Sequence, residues 1–146
     1  MKLDHILAAT DFSTASEDAF SVAARLAVAT GARVTLVHSY DPEPLGPAQA
    51  LLSSTPAESG AAEIERLARE ELNKARTEFF AEVEHVAIVI LPSTSAAFAV
   101  CDYATETDVD LIIIGTHGSA RLTRWLIGGV AEKIVRFAPC SVLSVR

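Results

Sequence analysis

The chain has 146 residues, 50% of them hydrophobic and 21% charged, and its formal net charge is −7. Such a length builds one compact domain with a sizeable core, and such a hydrophobic share argues against a disordered chain. The acidic balance argues against a non-specific nucleic-acid binder, which needs a dense Lys/Arg face to neutralise phosphates.

The first run, Leu3 to Ala9, predicts a strand, and the start MKLDHILAATDFS, with one Lys and then Asp4, has too short an apolar run for a signal peptide. Ala15, Ala19, Val22, Ala23 and Leu26 then share one helical stripe. Thr14 with Glu17 three residues on predicts a capping box, and Gly31 a stop. A second strand is expected at Arg33 to His38. The Pro-, Ser- and Gly-rich stretch from Asp41 to Gly60 predicts a mobile surface loop, either a ligand lid or an insertion without a role. Ile64, Leu67, Ala68, Leu72, Ala75 and Phe79 mark a second helix, whose other face carries Glu65–Arg69 and Glu70–Lys74 pairs. A third strand at His85 to Leu91 precedes a helix marked by Ala97, Val100, Cys101 and Ala104. A fourth strand, Leu111 to Ile114, precedes a helix with Val130, Ile134 and Phe137, which ends before Pro139. Ser141 to Val145 closes the series.

Strands alternating with helices predict an α/β domain over residues 1–146, a doubly wound, mostly parallel sheet with helices on both faces. Several strands are nearly continuous in apolar residues, as double-sided burial requires. No apolar run is long enough to span a bilayer. Cys101 and Cys140 lie far apart without a CxxC pair, and read as small buried hydrophobes in the reducing cytoplasm rather than as a disulfide or a zinc site.

The strongest chemical signal follows the fourth strand, in DLIIIGTHGSARLTRWLIGGVAEKIV. Gly115 and Gly118 frame a tight turn, nine residues intervene, and Gly128-Gly129 open a helix. Glycine permits close approach of backbone to an anion, and a helix start adds free N–H groups and the positive end of its dipole. Together they can enclose a phosphate chain. His117 could donate to a phosphate or face solvent. Arg121, Arg124 and Lys133 could balance its charge or merely solvate the surface. Thr116 and Ser119 are candidate phosphoryl acceptors, whereas Leu122, Trp125 and Leu126 read as packing.

No GxSxG elbow, HExxH spacing or Walker lysine is present. A dedicated enzyme is not expected; at most, slow ATP hydrolysis is. A receiver domain would need an aspartate where Leu91-Pro92-Ser93 ends the third strand. A dinucleotide-binding domain would need glycines in ATDFSTAS, which has none.

The order Gly115-x2-Gly118-x9-Gly128 resembles the ATP-binding motif of the universal stress proteins. ILAATDFS, VTLVH, DLIIIGTHG and PCSVLSVR resemble that family's other landmarks and span nearly the whole chain. The resemblance implies a five-stranded parallel sheet ordered 3-2-1-4-5, a homodimer, and bound ATP or AMP, with Mg accompanying the nucleotide. It places the nucleotide among Ala9, Thr10, Asp11, Ser39, Gly115, Thr116, His117, Gly118, Gly128, Gly129 and Val130. Ala9 and Asp11 would meet adenine and ribose, and Ser39 would offer its backbone to the base edge. Asp11 read by itself is equally a turn or capping residue beside Thr14.

One departure bears on affinity. Nucleotide-binding members of the family carry Ser or Thr where this chain has Gly129. A hydrogen bond to a charged group contributes roughly 1.5–3 kcal/mol, so its loss weakens binding about tenfold to a hundredfold. Leu91-Pro92-Ser93 replaces the family's Gly-x-Pro turn, with an effect expected on loop shape alone.

Three functions follow: an adenine-nucleotide-binding regulator of the stress response, a homodimeric interaction module without nucleotide, or a slow ATPase using Asp11 to hold a metal. The homodimer is expected through the apolar edge strand 141–145. No nucleic-acid or membrane partner is expected.

Overall fold

The computed structural model describes residues 2–42, 57–116 and 129–146. The elements are β1 (His5–Ala9), α1 (Thr14–Thr30), β2 (Arg33–Tyr40), α2 (Ala57–Phe79), β3 (Val86–Pro92), α3 (Ala96–Glu106), β4 (Leu111–Gly115), α4 (Gly129–Phe137) and β5 (Ser141–Val145). The five strands form one parallel sheet in the order β3-β2-β1-β4-β5, as the resemblance implied.

Strand side chains alternate between two cores. On one face Ile6, Ala8, Val34, Leu36 and Ile113 meet α1 through Ala19, Phe20 and Ala23, and α2 through Leu72 and Ala75. On the other, Leu7, Val37, Ile112 and Ile114 meet α3 through Val100, Cys101 and Ala104, and α4 through Ala131 and Ile134. Full burial of each large aliphatic side chain contributes about 1.5–3 kcal/mol, so the central strands β1, β2 and β4 anchor the domain. Cys101 is a buried free thiol, and Cys140 is also free.

Helix α1 ends as the sequence indicates. Gly31 has φ 74°, a left-handed conformation, and donates its N–H to the Ala27 carbonyl at 2.8 Å. Its start differs from expectation. The N-cap is Ser13, not Thr14, and its side chain makes no capping hydrogen bond. The Ser13 carbonyl accepts the N–H groups of Ser16 and Glu17, while Asp11 takes up the Ser13 N–H and the Ser16 hydroxyl. The turn therefore winds around Asp11, and the Thr14–Glu17 capping box does not form.

Other boundaries and faces shift too. β2 runs to Tyr40, because pairing with β3 continues through Ser39↔Leu91 and Tyr40↔Pro92. Pro92 is tolerated on that edge strand, where its missing N–H breaks no inner ladder. α2 begins at Ala57, so Gly60 lies inside a helix rather than at the end of the expected 41–60 loop; residues 43–56 lie outside the described residues. Leu67 is exposed despite its place in the predicted stripe. Val130 and Phe137 are also about half-exposed, whereas Ala131 and Ile134 carry the packing of α4. On α2 the Glu65–Arg69 pair forms, but Lys74 turns to Glu71, and Arg66 engages both Glu63 and Glu70. Exposed pairs of this kind contribute little.

A polar staple closes the amino-terminal end of the sheet. His5 is buried, its Nε2 lying 2.8 Å from the Thr35 hydroxyl and its Nδ1 3.2 Å from the Thr107 carbonyl. Arg33 Nη2 sits 3.1 Å from the same Nδ1. The Asp110 carboxylate accepts the N–H groups of Asp4 and His5 at 2.8 and 2.9 Å. Desolvation, reinforced by the Arg33 charge, holds the His5 pKa below its ordinary value, although the Thr107 and Asp110 contacts oppose this. The two backbone donors hold the Asp110 carboxyl below its own ordinary value.

Candidate functional site: the switch-point crevice

β1 and β4 are neighbours, with Ala8 opposite Ile113 and Ala9 opposite Ile114. The helix following β1 packs on one face of the sheet, and the helix following β4 packs on the other. Loops that diverge in this way beyond the carboxyl ends of adjacent strands leave a crevice, the usual ligand position in open α/β sheets.

The β1–α1 turn forms one wall. Thr10 extends the ladder, donating its N–H to the Val37 carbonyl at 2.9 Å. Its hydroxyl accepts the Phe12 N–H at 2.8 Å. Asp11 Oδ1 accepts the Ser13 N–H at 3.0 Å and the Ser16 hydroxyl at 2.9 Å, and the Asp11 N–H reaches back to the Ser16 hydroxyl at 3.3 Å. The turn role read for Asp11 is thus realised. A carboxylate has about four acceptor sites, so turn contacts of this kind do not preclude hydrogen bonds to a ligand.

Phe12 has φ 62°, a left-handed conformation that costs a bulky residue on the order of 1–3 kcal/mol and persists only where its surroundings impose it. Its ring lies 4.4 Å from that of His38, centroid to centroid. His38 Nδ1 is 2.9 Å from the Thr10 carbonyl.

The end of β4 forms the opposite wall. A Cβ on Gly115 would lie 2.5 Å from the carbonyl oxygen and 2.6 Å from the carbonyl carbon of Ala15. Gly115 does not have a positive φ, so its glycine serves the close approach of the first turn of α1 rather than an unusual backbone angle. Thr116 donates both its N–H (2.9 Å) and its hydroxyl (3.1 Å) to the Val145 carbonyl and is 5% exposed. Phosphoryl transfer onto that hydroxyl would require moving the end of β5.

Ser39 stands at the carboxyl end of β2 with a buried hydroxyl that has no hydrogen-bond partner among the described residues. An orphaned polar atom of this kind favours a missing polar ligand or water. At the start of α4, a Cβ on Gly129 meets nothing within 4 Å among the described residues.

The structure therefore gathers Ala9, Thr10, Asp11, Ser39, Gly115 and Thr116 at the carboxyl ends of β1, β2 and β4, and makes Gly129 and Val130 the first residues of α4. His117, Gly118 and Gly128 lie outside the described residues, as do Ser119, Arg121, Leu122, Arg124, Trp125 and Leu126. Sequence reasoning missed Ser16 and the Phe12–His38 contact. The Asp11-x4-Ser16 spacing hints at the first, but no sequence pattern marks a phenylalanine for a left-handed backbone.

Fold and crevice together define an open α/β protein of the kind that takes a ligand at its switch point. A model of the universal stress protein family matches residues 2–146, and the chain belongs to that family. It is 34% identical over 144 residues to a universal stress protein of Staphylococcus haemolyticus, covering 97% of this chain and 84% of the relative. A universal stress protein from Archaeoglobus fulgidus, solved in complex with dAMP, superposes with a TM-score of 0.69 at 22% identity, covering all of both chains. Another, solved in complex with cAMP, gives 0.70 at 21% identity over 100% of this chain and 98% of the other. No helix among the described residues is long and apolar enough to cross a membrane.

Proposed function

We propose that the switch-point crevice binds an adenine nucleotide, ATP or AMP, and that the protein acts as a nucleotide-responsive regulator in the cytoplasm. The observation that carries this reading is the approach of Gly115 at the end of β4 to the first turn of α1 behind Asp11, with the Ser39 hydroxyl at the carboxyl end of β2 lacking a partner among the described residues. The nucleotide complexes of the two structural relatives support the same ligand class. In this reading Asp11 accepts from ribose hydroxyls, Ser39 lies near the base, and the amides at the start of α4 face the phosphates. Magnesium, where it accompanies the nucleotide, would supply charge neutralisation at the phosphates. The two free thiols suit a reducing compartment.

Denaturing the purified protein and identifying the released small molecule tests the proposal. Near-stoichiometric adenine nucleotide supports it. Neither release nor a calorimetric response to ATP or AMP overturns it, in favour of a homodimeric module without ligand. Gly129 favours that second reading, because the position lacks the hydroxyl of the family's nucleotide binders. A slow ATPase needs turnover that Asp11→Ala abolishes while binding persists.

A further inference from the structure

We propose that His38 is a positioning residue for the crevice, gripping the β1–α1 turn on both sides of Asp11. The proposal rests on the nucleotide reading above. A carbonyl oxygen only accepts, so His38 Nδ1 carries the proton and donates it to Thr10 across 2.9 Å. The same imidazole lies against the Phe12 ring at 4.4 Å, with 35° between the planes. Thr10 and Phe12 are the residues on either side of Asp11, so one side chain of β2 holds the backbone before and after the carboxylate.

The two ends of the turn are thereby tied to different elements. Ser13 and Ser16 bind the Asp11 carboxylate to the start of α1. His38 binds its neighbours to the sheet. Phe12 is 39% exposed and belongs to neither core cluster, so core packing does not hold it at φ 62°. Its hold comes from the Phe12 N–H on the Thr10 hydroxyl and from the ring contact with His38. Losing His38 frees Phe12 to leave the left-handed region, and Asp11 turns with it. Turning the carboxylate away forfeits its charge-assisted hydrogen bonds to a ligand, each worth about tenfold or more in affinity.

Three substitutions separate the two contacts. His38→Asn retains a donor toward Thr10 and loses the ring; His38→Phe retains the ring and loses the donor; His38→Ala loses both. ATP and AMP affinities by calorimetry should fall about tenfold to a hundredfold in His38→Ala, with smaller losses in the other two. The amide resonances of Thr10, Asp11 and Phe12 should move, while those of β5 stay in place. Phe12→Ala, at a half-exposed position, should weaken binding without unfolding the chain if His38→Ala does not fold. Unchanged affinity in a folded His38→Ala, or equal losses in all three variants tracking lost thermal stability, overturns the proposal. A wild-type protein that binds neither nucleotide overturns the functional reading instead. The turn resonances alone then decide the positioning claim, and their failure to move in His38→Ala refutes it.

Discussion

Two glycines show how one residue type serves opposite needs. Gly31 has open space around a hypothetical Cβ but a φ of 74°, so Gly31→Ala should cost about 1–2 kcal/mol through backbone strain. Gly115 has no positive φ, but its hypothetical Cβ collides with the Ala15 backbone. Backbone yields less readily than the tip of a side chain, so Gly115→Ala should lose about 1–3 kcal/mol and push α1 away from β4. Urea midpoints give both costs, and nucleotide affinity distinguishes them: it should fall in Gly115→Ala and hold in Gly31→Ala. Gly129 is a third case, with no positive φ and nothing within 4 Å of a hypothetical Cβ among the described residues, so Gly129→Ser should fold normally. Its new hydroxyl should tighten ATP binding about tenfold, and unchanged or weaker affinity would count against a phosphate contact there. His5 makes a pH prediction. Its folded pKa lies below the ordinary 6.5, so the unfolded chain takes up the proton first as pH falls. Stability is unaffected by this group above about pH 6.5 and declines below it, until the folded imidazole also titrates. Urea midpoints at pH 7.5 and pH 5.5 should differ, and His5→Gln should flatten that slope. Asp110 contributes no slope in this window, because its carboxyl titrates around the ordinary 3.8 in the unfolded chain and below it in the folded one, so its stabilisation is lost only in more acidic solution.

Among the strands, β5 carries an exposed large apolar side chain. It ends the sheet beside β4, and Leu143 on it is 37% exposed. An apolar edge is commonly paired or covered, which motivates the proposed homodimer through residues 141–145. Leu143→Lys should shift sedimentation toward monomer at micromolar concentration, and a wild type already monomeric there refutes the pairing. The same strand takes both hydrogen bonds from Thr116 on the Val145 carbonyl, which ties the end of β4 to the end of β5. Helix α1 shows a different dependence. Its first turn is set by Asp11 and the hydroxyl of Ser16, so helix start and crevice wall are one structure.

For the molecule as a whole, a ligand that binds the folded state alone raises its stability by mass action. At a concentration one hundred times Kd the gain is about 2.7 kcal/mol, which for a domain of this size raises Tm by roughly 5–10 °C. ATP or AMP should produce that shift, and GTP a smaller one if the base edge is read at Ser39. Equal shifts with ATP and GTP would contradict selection at the base.

The sequence by itself determined the element order, because alternation and helical stripes depend on neighbours two to four residues apart. The resemblance carried by the glycine spacing and the strand-end landmarks supplied the strand order, which no local period contains. It also pointed to the strand ends around Asp11, Ser39 and Gly115, which the fold gathers at one end of the sheet. Tertiary structure alone decided which half of the α4 stripe is buried, why Val130 and Phe137 stay exposed, and why Gly115 must be glycine. It alone decided that Ser13 replaces Thr14 as the cap, and that Phe12 is held left-handed against His38. Gly115 and Phe12 depend on groups that meet only when the chain folds, Gly115 on Ala15 one hundred residues away and Phe12 on His38 across neighbouring elements, whereas the Ser13 cap follows from the local geometry of the Asp11 turn, which no period records. Periodicity senses only the near neighbours of a residue, whereas steric contact and hydrogen bonding are settled by whatever the fold brings alongside.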